Sequence, residues 1–362
     1  MEPKQAIDAL PLYTTLKPTI AFFKFACIWF DEPLRLNSRR CSRFIDLLRF
    51  ILFTCAVCVS VFFINDVIGQ MIRHDVQNAF DAFTITSAHM MTLSNLVFMV
   101  QSVVSLIVLM RWFAIGGRMK RFFEENGEIL KSVRFSECDV KKLHAAQACF
   151  IAIIIILPMT IGGVSPASML ILGQKLTTQA VLQTTLPFFV WFFVTLAPVA
   201  VMNPLIYAVQ LYATSLNRSF EDKRDWLRTV SRPNDLLMVL HAFCDKHAAL
   251  CNLVDALDWL LGGAATSVLA VYTGLVTIFT FAILRSEQGT DEQYAIVDTL
   301  YTVVMMATTI VPLMTTAWVA ARLSEEIDAL SFGYCGKLSG RTWGISMFGN
   351  FIITKQMLLT SS

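Results

Sequence analysis

Six stretches of the chain, at residues 45–66, 83–110, 143–163, 178–204, 260–284 and 299–321, are predominantly apolar. Each is long enough to cross a hydrocarbon core of about 30 Å, which takes roughly 20 helical residues. The apolar pattern also continues past the core. From Thr178 to Leu216 it would make a helix of about 58 Å at 1.5 Å per residue, nearly twice the core thickness. Before the fifth stretch, DLLMVLHAFCDKHAALCNLVDALDWLL sets Leu240, Phe243, Leu250, Val254 and Leu257 on one helical stripe. His241, Asp245, Asn252 and Asp255 fall on another, so the pattern predicts an amphipathic helix packed below the membrane. The sixth stretch runs on through AARLSEEIDALSF, where Glu325 and Glu326 read as solvated charges.

Two further segments are apolar but too short or too polar to span. TIAFFKFACIWF, at 19–30, contains Lys24 and reads as an amphipathic cytosolic or interfacial helix. SGRTWGISMFGNFIITKQMLLTSS, at 339–362, carries Asn350, Lys355 and Gln356, and a lysine at mid-membrane depth is costly. A cytosolic helix packed against the projecting fourth, fifth and sixth helices accommodates both its polarity and its length.

Charge adds a direction. Lysine and arginine number 7 in residues 1–44, 8 in 111–142, 6 in 213–259 and 3 in 322–342, while the three intervening loops hold only Arg73, Lys175 and Arg285. The positive-inside rule then predicts a cytosolic N-terminus and cytosolic basic loops. Residues 1–18 lack an apolar leader core, so no secretory signal is expected. The opposite loops are acidic on balance, with Asp66, Asp75, Glu287, Asp291 and Glu292, which would enrich cations near a pore mouth.

Composition agrees with an integral membrane protein: 56% hydrophobic residues, 15% charged and a mean hydropathy of +0.60. Soluble domains carry about 25% charged residues. A net charge of +2 gives no reason to expect nucleic-acid binding. None of the nine cysteines falls in a predicted outside loop, so no extracellular disulfide is expected. Asn203-Pro204-x-x-Tyr207 matches the signature that closes the last helix of rhodopsin-like receptors. It stands in the fourth span of a chain with the opposite predicted orientation, and Asn203 can instead hydrogen-bond backbone groups freed by Pro204. His241, Cys244, His247 and Cys251 share a face, yet four ligands strung along about 15 Å of helix cannot converge on one ion. No nucleophile-base pair or phosphate loop stands out, so neither enzyme activity nor a cofactor is expected.

The N-terminal LPLYTTLKPTIAFFKFACIWF leading into LRLNSRRCSRFIDLLRF, the inside N-terminus, the long cytosolic extensions and the ending LSEEIDALSFGYCGKLSGRTWGISMFGNFIITKQMLL together resemble the gustatory receptors of insects and nematodes, relatives of insect odorant receptors. The resemblance covers most of the chain but is diffuse. It implies a plasma-membrane chemosensory subunit, assembled as a homo- or hetero-tetramer with related subunits around a cation pore. The stimulus would be a small molecule or, as in some nematode relatives, light or an oxidant. The family's Thr-Tyr…Gln-Phe pattern in the pore-lining second half of the seventh segment is not reached before Ser362. Either the sequence is part of a longer chain or this form does not conduct alone and serves as a regulatory subunit. A G-protein-coupled chemoreceptor and a six-span transporter are the alternatives.

The expected fold is therefore all-α: a polytopic membrane helix bundle of six full spans plus a partial seventh segment. Residues 1–44 form a cytosolic segment, 45–342 the bundle with its extensions, and 343–362 the first part of the seventh segment. Candidate ligand-binding residues follow from depth and polarity: His89 in the second span, Gln183 and Trp191 in the fourth, Tyr272 in the fifth and Tyr301 opening the sixth. Gln183, Pro187 and Trp191 share one helix face. The same groups serve equally well as glue between helices or as interfacial aromatics.

Overall fold

The computed structural model describes residues 11–25, 51, 54, 55, 58, 62, 69, 87–114, 117–132, 135–171, 173, 177–229, 233–285, 292–334, 346, 347, 351 and 352. Two short helices, α1 (Pro11–Thr15) and α2 (Lys17–Phe25), open the described chain. They are followed by α3 (Ser87–Leu109), which ends in a π turn at Met110–Ala114, then α4 (Arg118–Glu125) and α5 (Gly127–Ser132). Four long helices make the rest of the bundle: α6 (Glu137–Ile171), α7 (Thr178–Thr229), α8 (Pro233–Arg285) and α9 (Glu292–Tyr334).

Four described helices are long and apolar enough to cross a membrane, and a fifth span results if α3 and α4, bent by 44°, count as one. The predicted span at 45–66 lies mostly outside the described residues. Val100, Val103 and Ile107 of α3, Ile156 and Met159 of α6, and Val303 and Met314 of α9 all face outward. Such an apolar exterior is what a lipid-facing bundle presents and a soluble one avoids.

α7 is the central post, packed against α3, α6, α8 and α9. It stays helical through Pro187, Pro198 and Pro204, although each proline removes one ladder hydrogen bond. α6 packs tightly against α7 beside the first of these prolines: Gly162 lies so close to Thr185 that an added Cβ would stand 2.9 Å from its Cγ2. Thr185 Oγ1 donates to the Gly162 carbonyl at 3.1 Å. Asn203 does not serve the Pro204 turn as expected from the sequence. Its amide donates across the helix interface to Thr315 Oγ1 of α9 at 3.4 Å. The reach to α9 is available because α7 and α9 are in contact at this level.

Local chemistry sets the breaks. Gly117 begins α4 in the left-handed region, at φ 52°, which is why the chain can bend there. Ser136 caps the start of α6: the Asp139 N–H donates to Ser136 Oγ at 3.1 Å, and the Ser136 hydroxyl donates to Asp139 Oδ2 at 2.7 Å.

The long helices expected from the sequence are present, and α6, α7 and α8 meet one another beyond the apolar core of the bundle. With 35 residues in α6, 52 in α7, 53 in α8 and 43 in α9, each exceeds a bilayer-spanning length. Arg218 of α7 meets Asp139 of α6 at 3.6 Å, and Phe220 of α7 packs edge-on to Phe243 of α8 at 5.4 Å. In α8, Phe243, Leu250, Val254 and Leu257 are buried while His241, Asp245, Asn252 and Asp255 are exposed, as the stripe predicts; the side chain of Leu240, its first member, lies outside the described residues. Glu325 and Glu326 are half-buried rather than freely solvated, and Arg322 pairs with Glu325 at 3.5 Å.

The C-terminal segment corrects the expectation of a helix. At its described positions it is extended: β1 (Ser346–Met347) pairs antiparallel with β2 (Phe351–Ile352), and β1 packs on α8.

Candidate functional site

Three helices converge on Phe98 of α3. Phe192 and Trp191 of α7 lie 5.0 and 6.2 Å from its ring, and Tyr272 and Phe279 of α8 lie 6.4 and 6.3 Å away. Phe188 extends the group at 6.2 Å from Trp191. These separations suit edge-on and tilted ring contacts. Trp191 is 1% exposed and Tyr272 fully buried. Tyr272 is 13 residues from Trp259 and 13 from Arg285, about 20 Å each way along α8, which sets it near the middle of the span.

A paired polar seam runs beside the rings. Ser102 and Thr195 hydroxyls are 2.6 Å apart, Ser105 donates to the Thr195 carbonyl at 3.1 Å, and Thr195 itself donates to the Trp191 carbonyl at 2.9 Å. Gln101, one helical turn beyond Phe98, donates its amide to Ser105 Oγ at 3.4 Å.

Three polar atoms in this neighbourhood have no hydrogen-bond partner: Trp191 Nε1, the Tyr272 hydroxyl and Gln101 Oε1. Leaving such groups buried and unpaired costs about 1–3 kcal/mol each. They make up two donors and one acceptor, the phenol serving also as acceptor, and none carries a charge. Chemically, the arrangement suits a neutral, flat, largely apolar molecule bearing at least one hydrogen-bond acceptor.

Of the residues singled out from the sequence, Trp191 and Tyr272 meet here. Tyr301 of α9 is half-buried and packed against the core. His89 lies in α3 and Gln183 in α7, while their side chains fall outside the described residues. The helix continuity of α7 does place Gln183, Pro187 and Trp191 on one face. Sequence reasoning missed Phe98, Phe192 and Phe279, because a phenylalanine in an apolar span carries no signal of its own. Gln101 did carry one, as an amide among mostly apolar residues in the second span.

Among the described residues no group of three histidine, cysteine or acidic side chains is placed to hold a metal ion. His247 and Cys251 approach within 3.8 Å on the same helix face. No protein-family model matches the chain, and no characterised protein matches it in sequence. Fold and site together define a helical membrane protein with an uncharged aromatic centre.

Proposed function

We propose that the protein is a chemosensory receptor subunit of gustatory type, residing in the plasma membrane with its N-terminus in the cytosol. Its ligand is a neutral small molecule received between α3, α7 and α8, and it works in a homo- or hetero-tetramer with related subunits of a cation channel. The observation that carries this reading is the set of unpartnered polar atoms on Gln101, Trp191 and Tyr272 within a ring cluster. A purely structural core gains nothing from such atoms, whereas an apolar site with a few oriented polar groups is what small-molecule recognition requires. The six-span arrangement and its orientation rest on the charge pattern and on the resemblance carried by the N-terminal and C-terminal motifs.

The test is a thermal-shift screen of the purified protein in lipid nanodiscs against neutral aromatic ketones, ethers and phenols. A ligand at 100 times its Kd stabilises by about 2.7 kcal/mol. Stabilisation is expected in the parent protein and is expected to be lost in Tyr272→Phe and Trp191→Phe. Equal stabilisation in these variants would overturn the site. An N-terminal epitope tag accessible on intact cells would overturn the orientation and favour the G-protein-coupled reading.

A further inference from the structure

Residues 11–25 read as one helix opened at Pro18, which has no N–H to give the Thr14 carbonyl, and at the neighbouring Thr19-to-Thr15 bond. Leu16 N–H donates to the Leu12 carbonyl at 3.1 Å and Ile20 N–H to the Leu16 carbonyl at 3.0 Å, both in helical register. Between them the Thr19-to-Thr15 bond of a continuous helix is replaced. Thr19 N–H donates to Gln147 Oε1 at 3.3 Å, the Thr19 hydroxyl donates to the same oxygen at 2.8 Å, and Gln147 Nε2 donates to the Thr15 carbonyl at 2.9 Å. A side-chain amide has the same donor and acceptor as a peptide unit, so Gln147 of α6 completes the ladder from outside.

Around that graft the contact is apolar. Leu12, Leu16, Ile20 and Phe23 form one buried stripe, Tyr13 packs edge-on to Phe123 of α4 at 5.4 Å, and Phe22 meets Phe193 of α7 at 6.1 Å. Phe193 stands two residues beyond Trp191, so the segment abuts the same stretch of α7 that builds the ring cluster.

We propose that residues 11–25 are a dockable arm and that Gln147 is the residue that holds it. The arm has two hydrogen-bonded states of its own. Docked, its open turn is bridged by Gln147; released, Thr19 N–H returns to the Thr15 carbonyl while the helix stays kinked at Pro18. Release therefore strands neither of the backbone groups that Gln147 bridges, and its cost falls on the apolar stripe and on the Gln147 amide. Because Phe22 touches Phe193, movement of this part of α7 is transmitted to the arm. The inference stands whether or not the ring cluster takes a ligand.

The experiment measures per-residue alkylation by mass spectrometry on the full chain in nanodiscs, with Ile20→Cys as the reporter and native Cys251, which is buried, as the control. With Gln147→Leu, alkylation at position 20 is expected to rise about tenfold while Cys251 stays protected. An unchanged rate at position 20 overturns the proposal. Should Gln147→Leu loosen Cys251 as well, Thr19→Val decides, since it removes only the hydroxyl contact. A rise at position 20 alone then supports the arm, and no rise or a rise at both cysteines overturns it.

Discussion

Replacing Tyr272 by phenylalanine should make the unliganded protein more stable while destroying its ligand response. The Tyr272 hydroxyl is fully buried and has no partner, and its ring already packs against Phe98 at 6.4 Å. Phenylalanine keeps the ring contact and deletes only the oxygen. An unsatisfied buried hydroxyl costs about 1–3 kcal/mol, and the methyl-sized space left by its removal returns roughly 1 kcal/mol of that, so the net gain is of order 1 kcal/mol. That corresponds to a rise in unfolding temperature of about 2 °C for a chain of this size class. The assay is thermal unfolding in exchanged detergent, read by reaction of a thiol dye with buried Cys251 in a chain whose other cysteines are replaced. A fall in unfolding temperature by a similar amount would refute the reasoning, because it would mean that the hydroxyl is engaged.

Two paired expectations probe the packing. Gly162→Ala should destabilise by about 1–3 kcal/mol, since its Cβ would press on Thr185, whereas Gly163→Ala, with nothing within 4 Å, should be neutral or stabilise by up to about 1 kcal/mol; thermal unfolding of the two side by side checks the contrast. Ser136→Ala should cost about 0.5–2 kcal/mol and speed amide exchange in the first turn of α6, because it removes the oxygen that receives the Asp139 N–H.

The hydrophobic pattern foretold most of the helices. Length and apolarity were legible because a bilayer imposes one fixed thickness, and the 240–257 stripe was legible because helical periodicity is a one-dimensional signal. The helix extensions followed from the same count of apolar residues. At Ser346–Met347 and Phe351–Ile352 a pair of short strands stands where length and polarity led to the expectation of a helix.

Sequence alone thus determined that this is a helical membrane protein and where its long helices run. Only the tertiary structure decided that Trp191 and Tyr272 meet on Phe98, that Asn203 reaches Thr315 rather than the Pro204 turn, and that Gln147 enters the backbone ladder of residues 11–25. Each of these depends on which faces of distant helices come together. Periodicity assigns a residue to a face of its own helix, but the partner across the interface is chosen by packing among segments as far apart in sequence as Phe98 and Tyr272.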